Sequence, residues 1–228
     1  MAANSPLIGK GLLTPLQETT LAMFAELPDQ EQFYLTGGTA LTEYYLGHRL
    51  SFDLDFFTGI DSLVLPVSYQ IEQKAMTRRL RASVVRRFST YVEFLVEQGD
   101  EKLRIDLALD SPFHFQAPQR SLKGYLVNSY QDLCVDKLLA YYGRTEPRDA
   151  VDLFFILQSE PLEKLLRLAP QKDTGFDLYW FAIALQRSSG FPDEADHWPV
   201  KMLAEWDPVS IKKTFVQIAQ EIMSGLEQ

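Results

Sequence analysis

Cysteine is all but missing from this 228-residue chain: Cys134 stands alone, so neither an internal disulfide framework nor a CxxC metal site is available. Its setting, DLCVDKLL, reads as helical, and a buried structural thiol is expected there. Histidine is scarce too. The three present, His48, His114 and His197, lack the HxxxH or HxH spacing that zinc sites use. No apolar run approaches the roughly 20 residues of a membrane helix, and the N-terminus lacks a basic segment followed by an apolar one. A cytoplasmic protein with no membrane partner is the expectation. Low-complexity segments and internal repeats are absent as well. What is present, 46% hydrophobic and 23% charged residues, is ordinary soluble composition with core material for one large domain or two small ones.

The formal net charge of −9 argues against a surface that holds nucleic acid non-specifically. Acids are nevertheless missing between Gln73 and Val92, where Lys74, Arg78, Arg79, Arg81, Arg86 and Arg87 all fall. Such a stretch could meet the phosphates of a nucleotide or an RNA. It could equally be a solvated helix followed by a strand edge kept basic to discourage pairing.

Along the chain, residues 1–12 read as a loose arm. Residues 14–27 predict a helix capped by Thr14, with Pro15 at its first position and Leu16, Thr20, Met23, Phe24 and Leu27 inward. A short strand over 33–36 runs into Gly37-Gly38, a short helix follows over 39–46, and a second strand spans 51–57. Further on come a helix over 67–80, strands over 91–96 and 102–109, and a third candidate strand over 84–88. After the prolines near 112–118 the pattern turns helical, over 128–143, 147–158, 162–169, 176–187 and 208–225. Tyr179, Trp180 and Phe181, on one of these helices, read as core. The expected organisation is an α/β core over 1–120 and a helical domain over 121–228.

The stretch LTGGTALTEYYLGHRLSFDLDFF, residues 35–57, carries the chemistry. In a strand, Asp53 and Asp55 point to the same face, roughly 6.5–7 Å apart along the backbone. Phe52, Leu54 and Phe56 fall on the other face, available for burial. In RIDLALD, residues 104–110, Asp106 and Asp110 likewise share a face opposite Ile105, Leu107 and Leu109. Glycine at the mouth of a helix lets a phosphate approach backbone N–H groups, here those of Gly38, Thr39 and Ala40. Three carboxylates can bind two Mg²⁺ about 4 Å apart and clamp the attacking and leaving oxygens of a phosphoryl displacement. His48 reads as a loop residue bonded to its own turn, and Arg49 as a partner of either a phosphate or the acids.

A GG-T turn, then hydrophobic-Asp-hydrophobic-Asp-hydrophobic, then a third Asp in a hydrophobic strand, resembles the DNA polymerase β-like nucleotidyltransferase superfamily. More narrowly, GGTAL…LGHRLSFDLDFF followed by DKLLAYYGRTEPRDAVDLFFI is similar to the AbiEii-type nucleotidyltransferases, toxins of abortive-infection toxin–antitoxin systems. The resemblance covers roughly residues 33–157. It implies an α+β fold, a polymerase β-like core with a mixed sheet followed by a C-terminal helical bundle that completes the nucleotide site. It implies that Gly37, Gly38 and Thr39 grip a nucleoside triphosphate. Asp53, Asp55 and Asp106 would then hold Mg²⁺, and Asp106 can also serve as general base, a role for which Asp110 competes. Lys137 would contact nucleotide phosphates, with Asp152 as the acid of the last motif. From spacing alone, Lys137, Arg144, Arg148 and Asp152 fit a solvent-facing helical surface, with Arg144 on the Lys137 face and Leu133, Leu138 and Tyr142 on the apolar one.

The activity so implied is transfer of a nucleoside monophosphate to an acceptor hydroxyl, with a tRNA 3′ end or another essential molecule as acceptor and a cognate antitoxin as partner. Two other readings stand beside it: a transferase for a small aminoglycoside-like acceptor, which an acidic surface suits, and a non-catalytic nucleotide-binding module, which would be expected to have lost an acid.

Overall fold

The computed structural model describes residues 5–226, and the chain divides into two compact units, one ending at Tyr130 and the other beginning at Gln131. In the first, α1 (Pro15–Phe24) opens with a reciprocal cap: the Thr14 hydroxyl accepts from the Gln17 N–H and the Gln17 side chain accepts from the Thr14 N–H. Its Phe24 ring lies stacked 3.8 Å from that of Phe56. That pair ties the helix to one face of a seven-stranded mixed sheet.

The strands are β1 (Tyr34–Thr36), β2 (Asp53–Thr58), β3 (Arg81–Phe88), β4 (Tyr91–Gln98), β5 (Glu101–Leu109), β6 (Gln119–Arg120) and β7 (Leu126–Val127), in the order β3-β4-β5-β2-β1-β7-β6. β2 runs parallel to β5 and antiparallel to β1; β7 runs parallel to β1. Alternation sends Leu54, Phe56, Val92, Phe94, Ile105 and Leu107 into the core. They lie beneath α1 and α3 (Val64–Thr77), whose Val67, Ile71 and Ala75 are also buried. The acids take the other face.

Several local expectations change. Phe52 precedes β2 instead of joining it and is half exposed. The arm over residues 1–12 lies outside the described residues for 1–4, and the rest is bound down. Leu7 bridges to Ser121, and the buried Glu43 carboxylate accepts from the Gly11 and Leu12 N–H groups at 3.1 and 2.7 Å. β6 ends at the boundary expected at 120 and β7 follows it, yet both extend the first unit's sheet. Two-residue strands carry no readable period.

The second unit holds α4 (Tyr130–Arg144, starting one residue earlier), α5 (Pro147–Leu157), α6 (Leu162–Lys172), α7 (Leu178–Arg187) and α8 (Pro208–Leu226). Its core includes Leu133, Cys134, Leu138, Tyr141, Leu153, Ile156, Leu185 and Phe215. Tyr141, three positions after Leu138, takes the apolar place expected of Tyr142 and donates to the Ala184 carbonyl at 3.0 Å. Phe181 is core, but Tyr179 and Trp180 sit in the first turn of α7 and are exposed. Pro170 lies inside α6 instead of ending it. Among the described residues, no helix is long and apolar enough to cross a membrane.

Candidate active site

Register builds the site. Asp55 stands directly opposite Asp106 across the parallel β2–β5 pair, and Asp53 opposite Arg104. On either side the row continues, with Thr36 opposite Asp55, Glu93 opposite Asp106 and Arg86 opposite Glu93. Five neighbouring strands thus carry one polar row, Arg86–Glu93–Asp106–Asp55–Thr36, on the face away from α1.

Within that row Arg104 Nη2 donates to Asp53 Oδ2 at 2.9 Å, and its Nε lies 3.6 Å from Asp106 Oδ2. The Tyr91 hydroxyl donates to the other Asp106 oxygen at 3.0 Å. Burial pushes the Asp106 carboxyl above the ordinary carboxylate value; Arg104 and Tyr91 oppose the shift, while Glu93 and Asp53 add to it. Burial, then the Asp106 charge, pushes the Tyr91 hydroxyl up to about 12. Burial works against the Arg104 charge, yet the carboxylates of Asp106, Asp53 and Asp55 outweigh it and raise the guanidinium above its ordinary value.

The glycine turn leans on these acids. Gly37 has φ +68°, and a Cβ there would overlap the Asp55 carboxylate. A Cβ on Gly38 would lie 2.8 Å from both Arg49 Nη2 and Ser51 Oγ. The Thr39 hydroxyl donates to the Asp53 carbonyl at 2.5 Å, so it ties the turn to the Asp53 strand. The helix expected over 39–46 starts at the glycines as α2 (Gly37–Leu41), then widens into a π-helical turn (Thr42–Leu46). Gly37→Ala is expected to cost about 1–3 kcal/mol through backbone strain and to displace Asp55. Chemical denaturation measures the first effect and loss of activity the second.

Asp110 lies beyond β5, where its carboxylate accepts from the Tyr34 hydroxyl at 2.7 Å and from the Ser111 N–H at 2.8 Å. Asp106, not Asp110, faces Asp55. Asn128, unremarked in the sequence, is buried at the end of β7; its Nδ2 donates to Thr36 Oγ1 at 3.1 Å and its N–H to the Leu35 carbonyl at 2.9 Å. It braces the residue just before the glycines. Arg104, Tyr91 and Glu93 were also missed, although strand alternation places Arg104 on the Asp106 face.

In the helical unit, Lys137 and Asp152 meet: Lys137 Nζ lies 2.7 Å from Asp152 Oδ2 and 3.5 Å from Asp149 Oδ1. Arg144 grips Asp149 with both Nε, at 2.6 Å, and Nη2, at 2.9 Å. Asp149 and Asp152 are fully buried and the Lys137 side chain is 8% exposed. A solvent-facing surface is therefore the wrong description of Lys137 and Asp152, while Arg144, which shares the Lys137 cluster, is 45% exposed.

The basic stretch is largely neutralised by acids from elsewhere in the unit. Lys74 and Arg78 pair with Glu26, Arg81 with Glu97, Arg86 with Glu93 and Arg87 with Glu72. β3 is the edge strand, with a bulge between Val84 and Arg86, which fits a protected edge. His48 and Arg49 are both buried, and Arg49 Nη1 donates to the Leu50 carbonyl at 2.9 Å.

Three carboxylates on one face are the hard oxygen donors that Mg²⁺ takes, and that ion needs only one or two of them beside water and phosphate. Asp53, Asp55 and Asp106 are donors of that type on one face of the sheet. Among the described residues no three acid, His or Cys side chains close into a ready cage; Arg104 lies between Asp53 and Asp106.

A family model described as nucleotidyl transferase AbiEii toxin, type IV toxin–antitoxin system, matches residues 20–177. No curated protein matches the chain. Among solved structures, the nucleotidyltransferase toxin MenT4 from Mycobacterium tuberculosis is similar at 15% identity and a TM-score of 0.60, over 92% of this chain and 82% of that one. JHP933 from Helicobacter pylori is similar at 19% identity and a TM-score of 0.55, over 93% and 90%. At these identities the two likenesses are of fold.

Proposed function

Because the chain belongs to the AbiEii nucleotidyl transferase toxin family, we propose that this nucleotidyltransferase is Mg²⁺-dependent and moves a nucleoside monophosphate from a nucleoside triphosphate to an acceptor hydroxyl. The observation that carries this reading is the parallel register of Asp55 against Asp106, with Asp53 on the same face and Gly37 against Asp55. Bound Mg²⁺ would be held by Asp53, Asp55 and Asp106 and would neutralise charge on the phosphates.

The chain's own residues take the remaining tasks. Asp106 accepts the proton of the acceptor hydroxyl, whose oxygen forms a bond to the α-phosphorus as the bond to the bridging oxygen breaks and pyrophosphate leaves. Gly37 and Gly38 leave room for Asp55, Arg49 and Ser51 against the turn assigned to the triphosphate, and Thr39 fixes that turn to the Asp53 strand. Lys137 is assigned to the nucleotide phosphates and Asp152 to holding Lys137.

A tRNA or other RNA acceptor, growth inhibition in abortive infection and a cognate antitoxin follow from the family as parts of the same proposal. A small cationic acceptor is the second reading, favoured by the net charge of −9. The test uses purified protein, Mg²⁺, each α-labelled triphosphate and total cellular RNA, with Asp53→Ala alongside. Label entering RNA with wild type, and falling to background with the variant, is expected. No label in RNA, with label entering an aminoglycoside and no growth arrest on expression, would transfer the assignment to the second reading.

A further inference from the structure

The acids of the site are held by a cation that the chain itself supplies. Arg104 lies two residues before Asp106 on β5, on the same face, and the parallel register sets it against Asp53. Its guanidinium hydrogen-bonds Asp53 Oδ2 at 2.9 Å, while its Nε stays 3.6 Å from Asp106 Oδ2, too far for a hydrogen bond. That Nε is buried with no hydrogen-bond partner. The contact with Asp53 is thus well made and the contact with Asp106 is not. The second Asp106 oxygen is taken by Tyr91. The Arg104 side chain as a whole is 39% exposed.

A divalent cation needs the same oxygens. Mg²⁺ coordinates at about 2.0–2.1 Å and tolerates little distortion, so a guanidinium seated 2.9 Å from Asp53 Oδ2 competes with it for that oxygen. Like charge adds to the conflict. A guanidinium leaving two carboxylates favours another flat anionic partner, and phosphate oxygens accept its planar fork well.

We propose that Arg104 is an exchangeable counter-ion: it holds Asp53 and Asp106 in the free protein and passes to the triphosphate when the divalent cation takes the carboxylates. Metal entry and nucleotide entry are then coupled through one side chain. The cation alone must displace Arg104 without offering it a new partner, and so binds weakly. Cation and triphosphate together offer one. Arg104 is here a positioning residue, and the inference rests on the metal-dependent reading above.

The coupling predicts opposite shifts from one substitution. Arg104→Gln should bind Mn²⁺ alone about tenfold more tightly than wild type and a non-hydrolysable triphosphate with Mn²⁺ about tenfold more weakly, each tenfold being about 1.4 kcal/mol. Free Mn²⁺ is read by electron paramagnetic resonance, nucleotide binding by calorimetry, and neither requires turnover. Arg104→Lys, which keeps the charge but loses the fork, serves if the first variant folds poorly and should fall between the two in both measurements. Asp53→Asn reports whether the Mn²⁺ counted is at this site. Unchanged or weaker Mn²⁺ binding in the Arg104 variants, with Asp53→Asn still abolishing it, overturns the exchange and leaves the metal-dependent enzyme standing. Mn²⁺ binding that ignores Asp53 in every variant overturns both.

Discussion

Asp106→Asn is expected to lower nucleotide transfer about 10³-fold, in the range that loss of a positioned general base produces, while the metal-free protein stays at least as stable as wild type at neutral pH. The two halves of that result have one physical origin. Asp106 is 15% exposed and sits among Glu93, Asp53 and Arg104. Burial is the largest influence on it, and its carboxyl is raised above the unfolded value. A carboxyl raised on folding contributes stability that is full below its unfolded pKa and is lost as pH rises through the folded one. At neutral pH the ionised group is therefore a small liability to folding. Asparagine keeps the shape and can still accept from the Tyr91 hydroxyl, and it removes the charge. Steady-state transfer and a thermal melt on the same preparation read both effects. A variant that loses activity and also melts well below wild type would mean that Asp106 serves the sheet first, and the base would have to be sought elsewhere.

Much of this site was legible in the sequence, and the reason differs by residue. Asp53 and Asp55 share a face by alternation alone, and so do Arg104 and Asp106, because a strand's period is local. Which strand lies beside which is not local. The parallel pairing of β2 with β5 brings Asp106 opposite Asp55 and leaves Asp110 to Tyr34; no pattern within 104–110 distinguishes the two acids. The same non-local register makes Arg104 a partner of Asp53. In the basic stretch the arginines were visible, but the glutamates that neutralise them come from α1's end, α3 and β4. In the helical unit, the spacing of Lys137, Arg144 and Asp152 does not reveal Asp149, which is buried with Lys137 and Arg144. Spacing on one helix says nothing of the helix packed against it. β6 and β7 were invisible because two residues cannot display a period.

That helical cluster carries the last large effect. Lys137→Met is expected to destabilise the protein by about 3–5 kcal/mol, the cost of removing one partner from a buried ion pair. The lysine offsets Asp152 at 2.7 Å and shares Asp149 with Arg144 at 3.5 Å, and both carboxylates are fully buried. Without it, Asp152 loses an ammonium 2.7 Å away in a buried place. Destabilisation alone, however, would hide any direct part Lys137 takes in nucleotide binding. The double variant Lys137→Met/Asp152→Asn separates the two. Replacing both charges by groups of similar size removes most of the penalty of the buried charge, so its denaturation midpoint should return most of the way to wild type. Nucleotide affinity should not return, if the ammonium is what meets the phosphates. Recovery of both stability and transfer in the double variant would instead make Lys137 a strut for α4 and α5, and the phosphate contact would have to come from another cation. The outcome turns on whether a lysine so fully occupied by its own carboxylates can exchange one of them for a phosphate, as proposed for Arg104 at the sheet.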